Sequence, residues 1–162
     1  MHKPFIILMQ NHSKTETRLA FIQFIFSSLF SDSASNEIIN DFESYFNKLK
    51  VSSIEQKKEF LISFNKNFFK KLALNYNVFS QNNDVKSIIN PLINFNRKYE
   101  NWDKINQSII LSILSELEIT KKEKVKILLN DYLNISKSLI PKKELGMINA
   151  ITDKYVNDRN II

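Results

Sequence analysis

The residues with the strongest chemical signature are lysines placed at helix starts. Lys121, Lys122, Lys124 and Lys126 open one helical pattern, and Lys142 and Lys143 open the next. Cations at a helix N-terminus oppose the macrodipole. A polyanion would offset that cost, because free backbone N–H groups beside lysines attract phosphate. The same lysines also suit a plain solvated face, where salt screens them. Gly146, the only glycine, falls inside the second pattern. Glycine within a helix costs up to about 1 kcal/mol relative to alanine. Its placement therefore implies a steric need: a close helix crossing or a ligand against the backbone. Asn149 lies one turn on, where a buried amide would brace the preceding loop or touch a ligand.

Other chemistries are poorly provided for. With no Cys, there is no disulfide, thiol nucleophile or thiolate metal site. His2 and His12 sit in the first dozen residues without a carboxylate cluster, so no metal or cofactor is expected. One glycine cannot build a phosphate loop, and no G-x-S-x-G turn is present. Glu116 and Glu118 point to different helix faces. The chain carries no recognisable catalytic constellation and is expected not to be an enzyme.

The 162 residues suffice for one domain or two small subdomains. Apolar residues make up 43% and charged residues 25%, as in a globular protein that can bury a core. One Gly and three Pro are too few for a turn-rich β fold. The net charge of +6 suits a nucleic acid or another anionic surface. It suits equally a Lys-, Asn- and Ile-rich composition imposed by an AT-rich genome. Phe5 to Met9 is too short an apolar run for a signal sequence or membrane span, so a cytoplasmic, membrane-free protein is expected.

These residues are carried by a succession of amphipathic helices. Residues 1–12 lack a period and are expected to form a flexible arm. The first helix begins at Ser13, with Glu16 completing a capping-box spacing. Its apolar face carries Leu19, Ile22, Phe26 and Leu29, widened by Phe21 and Ile25. Further helices are expected over about 36–50, 54–76 and 85–98, the last interrupted at Pro91. A helix apolar over more than half its circumference is expected over 103–118, central to the C-terminal half. Thr120 and Glu123 suggest a capped helix running to about Leu139, and Pro141 suits the first turn of a last helix ending near Asp158. The polar stretch at 80–84 marks the boundary between subdomains 13–80 and 81–162.

Four stretches fit a known pattern in order. Leu128 to Tyr155, reading LLNDYLNISKSLIPKKELGMINAITDKY, resembles the C-terminal region of the NusB family of bacterial antitermination factors. Leu129, Asn130, Asp131, Ser136 and Lys137 occupy its first motif, and Gly146 to Ala150 with Asp153 and Lys154 its second. RLAFIQFIF, residues 18–26, is similar to the family's first helix through Arg18, Ala20, Gln23 and Phe26. FNKNFFKKL, 64–72, and Trp102 through Ser115-Glu116-Leu117 are similar to its middle helices.

The resemblance implies an all-α bundle of about seven helices in two subdomains. It implies binding of boxA-type single-stranded leader RNA together with a small-subunit ribosomal protein, NusE. That pair would join RNA polymerase and other Nus factors in an antitermination complex serving ribosomal RNA operons. It further implies Lys14, Arg18, Gln23, Lys142, Lys143 and Met147 at the RNA, and Phe26, Glu100 and Asn106 toward the protein partner. The free protein is expected to be a monomer or weak homodimer. Met147 stands where the family has Phe, Ala150 for a glycine, Ser115 for a Tyr, Lys124 for a loop proline, and Thr15 to Thr17 in a normally arginine-rich arm. These departures leave a second reading open: a decoy or interaction module of the same fold that keeps the ribosomal partner and has lost specific RNA binding.

Overall fold

The computed structural model describes residues 13–30, 50–53, 58–61, 64–94 and 96–161. Six α-helices occur among them: α1 Ser13–Ser28, α2 Lys66–Asn82, α3 Val85–Ile89, α4 Lys104–Leu117, α5 Val125–Ser136 and α6 Lys142–Asp158. A short antiparallel ribbon pairs β1 Lys50–Ser53 with β2 Lys58–Leu61. The bundle is all-α, as expected, with six helices among the described residues against about seven foreseen. The expected arm, His2, His12 and most of the helix foreseen over 36–50 lie outside the described residues.

The fold is built around α4, which touches α1, α2, α5 and α6. Every residue from Asn106 to Leu117 is buried. An apolar helix surrounded on all sides explains Ile109, Ile110, Ile113 and Leu114, but its serines need another account. Ser108 Oγ donates to Lys104 O at 2.6 Å and Ser112 Oγ to Ser108 O at 2.6 Å. The helix's own carbonyls thus satisfy these hydroxyls, and they add little bulk where neighbouring helices approach.

The helix foreseen over 54–76 is corrected by the structure. Lys58–Leu61 is a strand, and α2 starts only at Lys66 and runs on to Asn82. Asn65 sets that start. Its backbone is extended, its Oδ1 accepts from Phe68 N at 3.0 Å, and its own N–H donates to Thr17 Oγ1 at 2.9 Å. The cap starts the helix and ties that start to α1. Other boundaries shift for similar local reasons. The stretch foreseen over 85–98 stops at Ile89, and Pro91 lies in a single 3-10 turn, Asn90–Leu92. The Thr120–Glu123 capping box does not form. Thr120 Oγ1 donates back to Glu116 O at 2.6 Å, a 3-10 turn spans Lys122–Lys124, and α5 begins at Val125 and ends at Ser136. Pro141 takes the N-cap position of α6.

The apolar face foreseen on α1 is broader than its period suggested. Ala20, Phe21, Ile22, Phe24 and Ile25 are all buried, because α2, α4 and α5 pack around the helix. Phe24 meets Phe69, and Phe21 meets Tyr76, both edge to face. Among the described residues no helix is long and apolar enough to cross a membrane. Replacing Asn65 by Ala should cost about 1 kcal/mol, the usual loss for an N-cap. It should lower the urea midpoint without changing the slope, as followed by far-UV circular dichroism.

Candidate nucleic-acid interface

Arg18 is expected at a phosphate but is bound inside the protein. Its residue is 8% exposed. Nε and Nη2 donate to the Glu116 carboxylate at 3.0 and 2.7 Å, and Nη1 donates to Asp131 Oδ2 at 2.6 Å. Its guanidinium also stands over the Phe68 and Tyr132 rings, 5.6 Å from each centroid. Tyr132 Oη donates to Glu116 Oε1 at 2.6 Å, and Thr15 Oγ1 to Asp131 Oδ1 at 2.7 Å. Burial by itself would depress the arginine's pKa, but hydrogen bonds and charge from Glu116, then Asp131, hold it above its ordinary value. The Tyr132 hydroxyl is pushed far up, first by burial and then by the Glu116 carboxylate. Arg18 therefore clamps α1 to α4 and α5 and is not presented to a ligand.

The other expected RNA residues fall into two groups. Lys14 is exposed on the first turn of α1, its ammonium 5.9 Å from the Phe68 ring centroid, and Gln23 is exposed further along the same helix. Lys142 and Lys143 are exposed at the start of α6, and Met147 is half-buried one turn on. The Arg18 clamp holds Glu116, near the end of α4, whereas α6 begins beside Asn106 near its start. Ten residues of helix separate those two points, roughly 15 Å. The structure thus does not bring the expected RNA residues into one cluster.

The three residues expected on the protein side also differ in setting. Phe26 is half-buried and lies edge-on to Phe30, which is exposed, so a small aromatic patch ends α1. Glu100 is exposed. Its carboxylate accepts from Asn90 Nδ2 at 3.0 Å, and its pKa is lowered first by its own backbone N–H, then by Asn90. Asn106 is 3% exposed and donates to Glu144 Oε1 at 3.0 Å, which removes it from any broad contact surface.

Gly146 and Asn149 need correction as structural residues. An added Cβ at Gly146 would meet nothing within 4 Å, so no helix crossing demands the glycine. Asn149 is exposed and is not the buried brace foreseen. Both lie on the open side of α6.

A groove of about 800 Å³ opens where the start of α6 faces the turn before α4. Trp102, Asn106, Pro141 and Met147 form its walls, with Arg97, Lys143 and Glu144 also lining it. The indole is fixed by Nε1 donating to Arg97 O at 3.2 Å and by an edge contact with Tyr99. Sequence reasoning noted Trp102 and Met147 separately, and missed that a turn and a helix start 40 residues apart would enclose a space. It also missed the Arg18 clamp, although each member lay in a quoted motif: Arg18 in the first, Glu116 beside Ser115, Asp131 in the LND run.

Together these features define an all-α bundle around a buried central helix, with exposed cations at the start of its last helix beside a groove. The sequence model of the NusB family matches residues 15–157, and the chain belongs to that family. A relative from Rickettsia typhi (strain ATCC VR-144 / Wilmington), transcription antitermination protein NusB, is 25% identical over 156 residues, covering 93% of this chain and 96% of its own length. No solved structure matches.

Two outcomes follow from this geometry. Arg18→Ala strands the buried Glu116 carboxylate and unpairs the half-buried Asp131, and should cost about 3–5 kcal/mol of stability. Arg18→Lys should recover only part of it, because an ammonium cannot reproduce the fork; urea unfolding of the two variants checks both values. Gly146→Ala should raise stability by about 0.5–1 kcal/mol, since the helix gains and nothing clashes, and its melting temperature is the readout.

Proposed function

We propose that this protein is a transcription antitermination factor. It binds boxA-type single-stranded leader RNA together with the small-subunit ribosomal protein NusE, and it promotes transcription of ribosomal RNA operons. In this reading it acts in the cytoplasm, as one component of an RNA polymerase complex with other Nus factors, and catalyses no reaction. The observation that carries it is the family match over residues 15–157. The charge arrangement supports it: Lys142 and Lys143 stand exposed beside the groove, with Lys14 and Gln23 exposed on α1. Arg18 is left out of the RNA surface because its guanidinium already holds two carboxylates. Phe26 with Phe30, and Glu100, remain exposed enough to meet a protein partner.

One observation favours a second reading. With Arg18 internal, the arm side of the surface has fewer cations than the resemblance implied. A decoy or interaction module that binds the ribosomal protein alone fits that loss.

RNA titrations at two salt concentrations, with and without the ribosomal protein, separate the readings. The first expects saturable RNA binding, tighter with the partner. Each single-strand phosphate contact contributes about 0.7 to the slope of log affinity on log salt. Replacing Lys142 and Lys143 together by Ala should therefore reduce that slope by about 1.4. Partner binding without RNA binding selects the second reading, and absence of both overturns the proposal.

A further inference from the structure

We propose that the turn after α4 and the start of α5 form a docking surface for an acidic, partly apolar segment of another protein. Ile119 and Ile127 are its apolar contacts, and Lys121, Lys122, Lys124 and Lys126 supply its charge. The length of α4, roughly 20 Å, separates this surface from the groove beside the start of α6. The inference therefore does not depend on the RNA reading.

Exposed apolar side chains supply the first argument. Ile127 is 60% exposed and Ile119 is 37% exposed. Val125 and Leu128 take the inward face of α5, which leaves Ile127 pointing out. Leu117 is likewise buried just before Ile119. Their neighbours' packing thus holds both isoleucines at the surface. Single exposed apolar residues are common, but here two of them bracket four exposed lysines.

Charge supplies the second. Among the described residues, none of the four lysines pairs with a carboxylate. They gather at the start of α5, where cations oppose the helix dipole. The nearby carboxylates do not offset them. Asp131 is held by Arg18, and Glu118 accepts from the Tyr155 hydroxyl at 3.4 Å. Glu123 is exposed between the lysines and leaves them in excess. An acidic partner would neutralise that excess and be steered to it.

A cleft supplies the third. It opens beside Glu118, has a volume of about 220 Å³, and is lined also by Leu117, Tyr155, Arg159 and Ile161. It has room for one large apolar side chain, the usual anchor of a protein contact. The Arg159 guanidinium stands over the Tyr155 ring, 4.6 Å from its centroid. Among the described residues no carboxylate pairs with it, although Asp158 precedes it in sequence. Its planar fork suits an incoming carboxylate.

Other anionic partners match less of this surface. Single-stranded nucleic acid gains from aromatic faces under its bases. Here the exposed apolar residues are isoleucines, and Tyr155 is buried beneath Arg159. A phosphate backbone also leaves two exposed isoleucines without a use. A membrane needs a broad apolar face to bury in lipid, and the remaining apolar residues here belong to the core. A segment with Glu or Asp beside Leu, Ile or Phe answers both the lysines and the isoleucines.

The test immobilises the full chain and offers it a pool of short random peptides built from Asp, Glu, Leu, Ile, Phe, Ser and Gly. A second pool has Asn and Gln in place of Asp and Glu. The acidic pool should be retained about tenfold better. The tightest acidic peptide is then titrated into nitrogen-15-labelled protein, where amide shifts should gather at residues 117–127 and 155–161. Ile127→Ser, and separately Lys122→Gln with Lys124→Gln, should each weaken that peptide about tenfold. Both changes are at exposed positions, and circular dichroism checks that the helices are kept. Equal retention of the two pools overturns the proposal, as do shifts confined to other faces. Sensitivity to the lysines with none to Ile127 reduces the surface to plain charge and overturns it too. A boxA-like RNA strand and phosphatidylglycerol vesicles serve as rival probes. Binding of either that depends on Ile127, without selective retention of the acidic pool, assigns the surface to that ligand and overturns the proposal. Acidic-peptide binding at these residues without any RNA binding supports the surface and leaves the RNA reading to fail by itself.

Discussion

A largely buried ionic cluster holds α1, α4 and α5 in register. Arg18 reaches from α1 to Glu116 on α4 and Asp131 on α5, with Tyr132 and Thr15 closing the remaining valences. Burying charges is costly unless they are paired and hydrogen-bonded. Here the arginine fork answers one carboxylate through two nitrogens and the second through a third. The cluster leaves little tolerance. Sliding α1 by one turn along α4 would move the guanidinium about 5.4 Å and leave Glu116 stranded.

This constraint divides the cations by job. Arg18, in the first-helix stretch, is internal and structural. The exposed lysines, on flexible stems and in high dielectric, contribute little to folding and remain available to an anion. The central helix separates the two roles in space. Its end carries Glu116 and the clamp, and its beginning carries Asn106 and the groove.

Much of the fold was legible because period and caps are local properties. The apolar residues around Ile109 to Leu114 marked a central helix, and α6 ends at Asp158 as foreseen. Lys58–Leu61 was not legible, since its composition suits a helix. The helix starts only after its cap at Asn65, and that cap is tied to Thr17, 48 residues earlier. The Thr120–Glu123 spacing misled in the opposite direction. Its hydroxyl found a nearer acceptor in the Glu116 carbonyl, and the chain tightened into a 3-10 turn.

The candidate site shows the same division. Lysines at helix starts, the lone glycine and the ordered motifs were plain in the sequence and pointed to the family and to an anionic partner. Which side chains face solvent was decided only by packing. Gly146 was singled out because helix propensity penalises it, yet no neighbour crowds it. Asn149, one turn away, is exposed, while Asn106 is buried with one unmatched oxygen. Sequence by itself determined the helices, their order and the chemistry of their polar residues, because those follow from local spacing and residue type. Tertiary structure alone decided that Arg18 is a clamp and that Trp102 and Met147 face one groove, because burial and pairing depend on residues far apart in the chain.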